Sequence, residues 1–145
     1  MSMFQDHVRQ FHVAMGQAAP NKIELKLSAE ALHLRYNLML EELHEFREAA
    51  SAYSSIHFNP VAKHQCYVEM IDALVDLLYV TFGTAVTMGV DLDPFWDEVQ
   101  KANMAKLGPD GRPIVRADGK ILKPTGWRPP DIEGILKRML EKENG

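Results

Sequence analysis

The stretch LRYNLMLEELHEFREAA, Leu34–Ala50, decides the fold. Residues three and four apart share one face of a helix. Glu41 and Glu45 therefore continue the line that Leu34 and Leu38 begin, and Glu42 lies close beside it. An amphipathic helix keeps such a line apolar because it faces the core. Here the apolar stripe becomes a carboxylate stripe partway along. Adjacent like charges repel, and burying them is expensive unless a cation compensates. A divalent metal would provide that compensation. Arg47 and Glu48, however, mark a solvated side of the same helix, and E-E-x-x-E taken alone is more often surface than site. It needs a partner.

The partner is a second acidic line, Glu69-Met-Ile-Asp72-Ala-Leu-Val-Asp76. From Met70 to Val90 the only charged residues are Asp72 and Asp76, four apart on an otherwise apolar helix. Aspartate is a poor helix former and is rarely buried unpaired. Two helices, each carrying acids on an inward face, have the parts of an oxygen-rich magnesium site.

Composition bounds the rest. A chain of 145 residues is of ordinary domain size, long enough to bury a real core. It is 46% hydrophobic and 25% charged, as soluble globular proteins are. A formal net charge of −4 argues against a general nucleic-acid or anionic-membrane surface. The single cysteine, Cys66, excludes an internal disulfide and points to a reducing, cytoplasmic setting. Phe4–Met15 mixes Asp, His, Arg and Gln and lacks a secretory pattern. Met70–Val90 approaches the length of a membrane span. Its two aspartates would each cost roughly 3 kcal/mol at mid-bilayer, so it reads as a buried helix of a bundle.

Outward from these lines, Phe4, Val8, Phe11 and Met15 predict a first helix over Met3–Met15, ended by Gly16. Ala18–Leu27 is a loop with Pro20, and Ser28 caps a second helix running to about Tyr53. Ser54–Phe58 is a break. Asn59 caps, and Pro60 opens, a long third helix that Gly89 ends in the left-handed conformation. Asp93 and Pro94 predict the start of a fourth helix, Pro94–Leu107, stopped by Gly108. Gly108–Pro130 then carries five prolines and four glycines, with Asp110-Gly111 and Asp118-Gly119 as turn dipeptides. An arm of that length is either functional or loose. Asp131–Glu143 reads as a final amphipathic helix with a frayed Lys-Glu-Asn-Gly end. The predicted architecture is a single all-α domain over 1–145, a bundle of about five helices with one basic, irregular arm.

Lys106, Arg112, Arg116, Lys120, Lys123 and Arg128 concentrate cations in and beside that arm, and Asn103 shares a face with Lys106. Acids that hold magnesium, with lysines and arginines on a nearby segment, are the parts needed for polyphosphate chemistry. There is no G-x-x-x-x-G-K-[ST] loop, so this is not a P-loop enzyme.

The order E-E-x-x-E, an intervening segment, then an acidic D-L-L-Y-V helix resembles the MazG-like all-α nucleoside triphosphate pyrophosphohydrolases. F-H-V-A-M-G at Phe11–Gly16, D-A-L-V-D-L-L-Y-V-T-F-G at Asp72–Gly83, N-M-A-K at Asn103–Lys106 and G-K-I-L-K-P-T-G-W-R-P-P at Gly119–Pro130 extend the likeness over most of the chain. They resemble the family's small dimeric branch, which includes dUTP-hydrolysing members. One departure stands out. The usual second motif is E-x-x-D directly before L-L-Y, but three residues before Asp76 stands Ala73. Either Asp72 takes over as ligand, the reading favoured by the apolar run after Asp76, or Glu69-x-x-Asp72 supplies the motif one turn earlier.

The resemblance implies Mg2+-dependent hydrolysis between the α and β phosphates, giving a nucleoside monophosphate and pyrophosphate, with Mn2+ able to substitute. Glu42, Glu45, Asp72 and Asp76 would hold the metal, and Glu41 would be a further ligand or the base for the attacking water. Asn103, Lys106, Lys120, Lys123 and Arg128 would contact phosphates or sugar, from the same or a neighbouring subunit. Trp127 would stack on the base or anchor the arm. A homodimer is expected, with a tetramer as the alternative, and neither nucleic acid nor membrane as partner. An apolar third helix with few helices to cover it points the same way.

Three rivals bear weighing. A carboxylate-bridged di-iron bundle uses Glu-x-x-His on two helices. Here Glu30-x-x-His33 and Glu41-x-x-His44 fall on one helix, roughly 16 Å apart at 1.5 Å per residue. A non-catalytic nucleotide-binding or oligomerisation module is the second rival, favoured by Ala73. Phosphoribosyl-ATP pyrophosphohydrolase is the third and uses the same metal logic. His7, His12, His57, His64 and Cys66 lack metal-ligand spacing.

Overall fold

A computed structural model describes residues 1–144. It is helical as expected: α1 Met3–Ala14, α2 Ala29–Ser55, α3 Pro60–Thr87, α4 Asp93–Met104 and α5 Ile132–Asn144. The described residues gather into two compact units, Met1–Asp91 with α1 to α3, and the segment from Leu92 onward with α4, the arm and α5.

In the first unit α2 and α3, joined by only four residues, pack as a helical hairpin, and α1 packs on α3. The predicted caps form. Ser28 Oγ accepts from Ala31 N at 3.1 Å, and Asn59 Oδ1 accepts from Ala62 N at 3.1 Å with Pro60 next in line. The break before α3 is shorter than predicted, because α2 continues through Ser54 and Ser55. Their hydroxyls fold back onto the Ala50 and Ser51 carbonyls at 2.8 and 2.9 Å, and so stay inside the helix. The core is built from small residues and valines: Val8, Ala49, Cys66, Ala73, Ala85, Val86 and Val90 are buried. Gln5 is fully buried, and its side-chain amide donates to Val90 O at 2.6 Å, which ties α1 to the segment after α3.

Gly89 (φ 67°) ends α3 as predicted, and the strand of loop before α2 runs against it. Glu24 N donates to Met88 O at 2.9 Å, and a Cβ on Gly89 would lie 2.0 Å from the Lys22 carbonyl oxygen. Gly89→Ala therefore meets both left-handed strain and backbone overlap. We expect it to destabilise the unit by about 1–3 kcal/mol, read as a lower denaturation midpoint.

The third helix packs on α1 and α2 along one side and, as expected from how few helices there are to cover it, leaves an apolar patch on the other. Tyr67, Val68, Ile71, Leu74, Val75 and Leu78 form a stripe on α3 that is 45–57% exposed. Among the described residues α3 is the one helix long and apolar enough to cross a membrane, and its other face packs on α1 and α2.

In the second unit α4 begins at Asp93 itself, with Leu92 in the cap position making no side-chain cap bond, and it ends at Met104, three residues short of the prediction. The Lys106 and Leu107 amides turn back onto the Asn103 and Met104 carbonyls, both at 3.1 Å, which tightens and closes the helix before Gly108. The arm is more ordered than a loose loop. Gly111 (φ 72°) and Gly119 (φ 85°) sit in two tight turns, closed by the bridges Leu107·Pro113 and Val115·Ile121. Asp110 and Asp118 each accept a hydrogen bond from the amide two residues on, as a turn aspartate does. Asp131 Oδ1 accepts from Gly134 N at 3.0 Å at the start of α5. Gly145, in the predicted frayed end, lies outside the described residues.

Candidate active site

The acids of α2 and α3 come together across the hairpin. Glu41 and Glu45 are exposed at its edge, and Glu42 is half-buried between them. Burial, and then repulsion from Glu45, Asp76, Glu41 and Asp72 in that order, pushes the Glu42 carboxyl above its ordinary value of 4.5. The two acidic lines of the sequence thus act on one carboxylate. The packing also accounts for Ala73: that position is 2% exposed, where a carboxylate would be buried in the core. The exposed positions 72 and 76 on either side of it carry the acids instead.

Adjoining this set is a cleft of about 350 Å³ lined by Glu45, Glu48, Ala49, Ala52, Glu69 and Asp72. It brings Glu69 to the other acids, where Gln65 Nε2 also donates to Glu69 Oε1 at 3.1 Å. It also brings in Glu48, which the sequence reading placed on the solvated side. Glu48 follows Glu45 by three residues and so extends the same helical line, a spacing visible in the sequence.

None of Glu41, Glu42, Glu45, Glu48, Glu69, Asp72 and Asp76 pairs with a lysine, arginine or histidine among the described residues. The donor set is all hard oxygen, which suits Mg2+. As the side chains stand, no three His, Cys, Asp or Glu groups among the described residues are drawn close enough to hold an ion. Four of the acids, Glu45, Glu48, Glu69 and Asp72, line the cleft, and the set does not form a finished cage.

A raised carboxyl pKa fixes the sign of a pH effect. Ionised Glu42 is less favourable folded than unfolded, so at neutral pH it subtracts from stability. That loss is relieved as pH falls through the raised folded value towards 4.5. We expect Glu42→Gln to raise the metal-free melting temperature at neutral pH by a few degrees and to have little effect near pH 4. A thermal denaturation series over pH on both proteins checks this.

In the second unit the predicted cationic residues separate into two groups. Asn103, Lys106, Lys123 and Trp127 converge. Lys106 Nζ donates to Asn103 Oδ1 at 2.7 Å, and the Lys106 and Lys123 ammonium groups stand 5.8 and 4.0 Å from the Trp127 ring centre. Trp127 Nε1 donates to Ala102 O at 2.7 Å, so the indole anchors the arm to α4. Lys120 and Arg128 are exposed and no bond joins them to this cluster. Arg116 is held by Asp118 through two hydrogen bonds of 2.9 and 2.5 Å, which raises the guanidinium pKa and lowers that of the carboxyl. His33 and His44, the histidines of the di-iron alternative, are both exposed on α2.

No curated protein matches the chain. Among solved structures it is similar to a protein from Exiguobacterium sp. 255-15, provisionally assigned as an NTP pyrophosphohydrolase. The two are 28% identical with a TM-score of 0.52, over 97% of this chain and 98% of that one. The sequence profile of the phosphoribosyl-ATP pyrophosphohydrolase family matches residues 8–103, which contain all seven acids. The chain belongs to that family of all-α pyrophosphohydrolases, and is a hydrolase acting on a pyrophosphate bond.

Proposed function

We propose that the protein is a Mg2+-dependent nucleoside triphosphate pyrophosphohydrolase, converting a (d)NTP and water to the (d)NMP and pyrophosphate, with dUTP or another deoxynucleotide as substrate. The observation that carries this reading is the convergence of acids from α2 and α3 on Glu42 with no cation paired to any of them. Glu42, Glu45, Asp72 and Asp76 hold the metal, with Glu48 and Glu69 in the adjoining cleft. When bound, Mg2+ supplies charge neutralisation for the phosphate oxygens. Glu41 and Glu42 divide the roles of further ligand and base. The base takes the proton of the attacking water as the bond to the departing pyrophosphate breaks. Lys106 and Lys123, gathered on Trp127 with Asn103, bind phosphate or sugar, and Lys120 and Arg128 add charge to the same arm.

The exposed stripe of α3 supports a homodimer, since six adjacent apolar side chains exceed what isolated surface hydrophobes explain. A cytoplasmic setting accords with the single free cysteine. A second substrate reading, phosphoribosyl-ATP, follows from the family's own description. A non-catalytic role loses its main support once Ala73 is explained by packing.

Product analysis of a panel of ribo- and deoxynucleoside triphosphates and phosphoribosyl-ATP, with Mg2+ present, tests the reading. Monophosphate and pyrophosphate from at least one deoxynucleotide, at a rate above phosphoribosyl-ATP, is the expected result. Turnover of phosphoribosyl-ATP alone would move the chain to the second reading.

A further inference from the structure

One arginine of the first unit, Arg35, is buried. Arg35 lies on α2 seven residues before Glu42, two turns away on the same face, about 10 Å along the axis. It is only 9% exposed. A guanidinium so buried is normally paired with a carboxylate, yet no acid among the described residues pairs with it. Its Nη2 donates one long hydrogen bond, 3.3 Å, to the neutral amide oxygen of Gln17.

The surroundings are polar and come from every part of the unit. A Cβ on Gly83 of α3 would lie 3.0 Å from both Arg35 Nη1 and His12 Nε2, so these two nitrogens stand against the same bare stretch of helix. His12 is 2% exposed, and its Nδ1 lies 2.9 Å from the Ala18 carbonyl oxygen. A carbonyl only accepts, so Nδ1 carries the proton there. Gln17, the sole side chain bonded to Arg35, is exposed and follows Gly16 (φ 67°) in irregular chain. It can swing aside without unwinding a helix.

We propose that Arg35 is a phosphate-binding residue of the active site, held closed by Gln17 in the free protein, and that a phosphate oxygen of the substrate takes the place of the Gln17 amide oxygen. The proposal rests on the triphosphate reading above. It places a cation at one end of the α2 face whose other end carries the acids, so that metal and guanidinium engage different parts of one polyphosphate. A charged, bidentate acceptor outcompetes a single long bond to a neutral amide.

Calorimetric titration of inorganic tripolyphosphate into the full chain, with chelator present, tests this apart from turnover. Wild type is expected to bind. Arg35→Gln is expected to bind at least tenfold more weakly. Gln17→Glu is expected to do the same while raising the melting temperature, because it gives the guanidinium an internal carboxylate. Should Arg35→Gln fail to fold, Gln17→Glu decides. No binding by wild type, or a change of less than tenfold in the deciding variant, overturns the proposal. Tripolyphosphate binding that depends on Arg35 in a protein that hydrolyses no nucleoside triphosphate would instead leave this site standing and remove the nucleoside triphosphate reading.

Discussion

Asp76→Asn is expected to lose pyrophosphate release by at least about 100-fold, through kcat, while keeping its fold. Residues that merely support a metal ligand cost about 10–100-fold when removed, so a direct ligand should cost no less. Asp76 is exposed on α3, and Asn keeps its shape, so no core packing is lost. Asp76 is also one of the charges that push Glu42 upward. The variant should therefore melt no lower than wild type without metal. Retention of more than a tenth of the wild-type rate would show that Asp76 is not a ligand and would shift attention to Glu69 and Asp72, the pair lining the cleft with Glu48. Steady-state kinetics and thermal melts on the two proteins decide between these.

The double substitution Leu74→Asp with Leu78→Asp is expected to halve the mass in solution. Both side chains are about half exposed on the outer stripe of α3, so within one chain they have little packing to lose. In a dimer that covers the stripe, each leucine contributes roughly 1.5–3 kcal/mol by burial, and an aspartate in its place adds the cost of an unpaired buried charge. Light scattering should show wild type at two chains and the variant at one, with helical content unchanged. A wild-type mass of one chain would contradict the dimer.

The features legible in the sequence are those set by near neighbours. Ser28, Asn59-Pro60 and Gly89 mark helix ends because cap chemistry acts within a few residues. The two Asp-Gly turns of the arm are equally local. The carboxylate lines were legible because each lies on one helix, and Glu41, Glu45, Asp72 and Asp76 all act on Glu42. Features that depend on how helices meet were not. The spacing of Glu48 from Glu45 is visible in the sequence but its place in the cleft follows from the register of α2 on α3, and the alanine at 73 is explained only once that position is seen to be buried. An uncovered patch on the third helix is expected from how few helices there are to cover it, but which side chains form it depends on how α1 and α2 pack there. Arg35 and His12 come from different helices, and nothing in their local sequence marks either one.

The central claim is that acids on α2 and α3 run a metal-dependent cleavage of a nucleoside triphosphate. Pyrophosphate release from deoxynucleoside triphosphates by the purified wild-type protein, measured with Mg2+ and again with excess chelator, tests it most directly. The account predicts release with Mg2+ and none with chelator. Release that continues undiminished in chelator, or no release from any triphosphate with Mg2+ present, would contradict it.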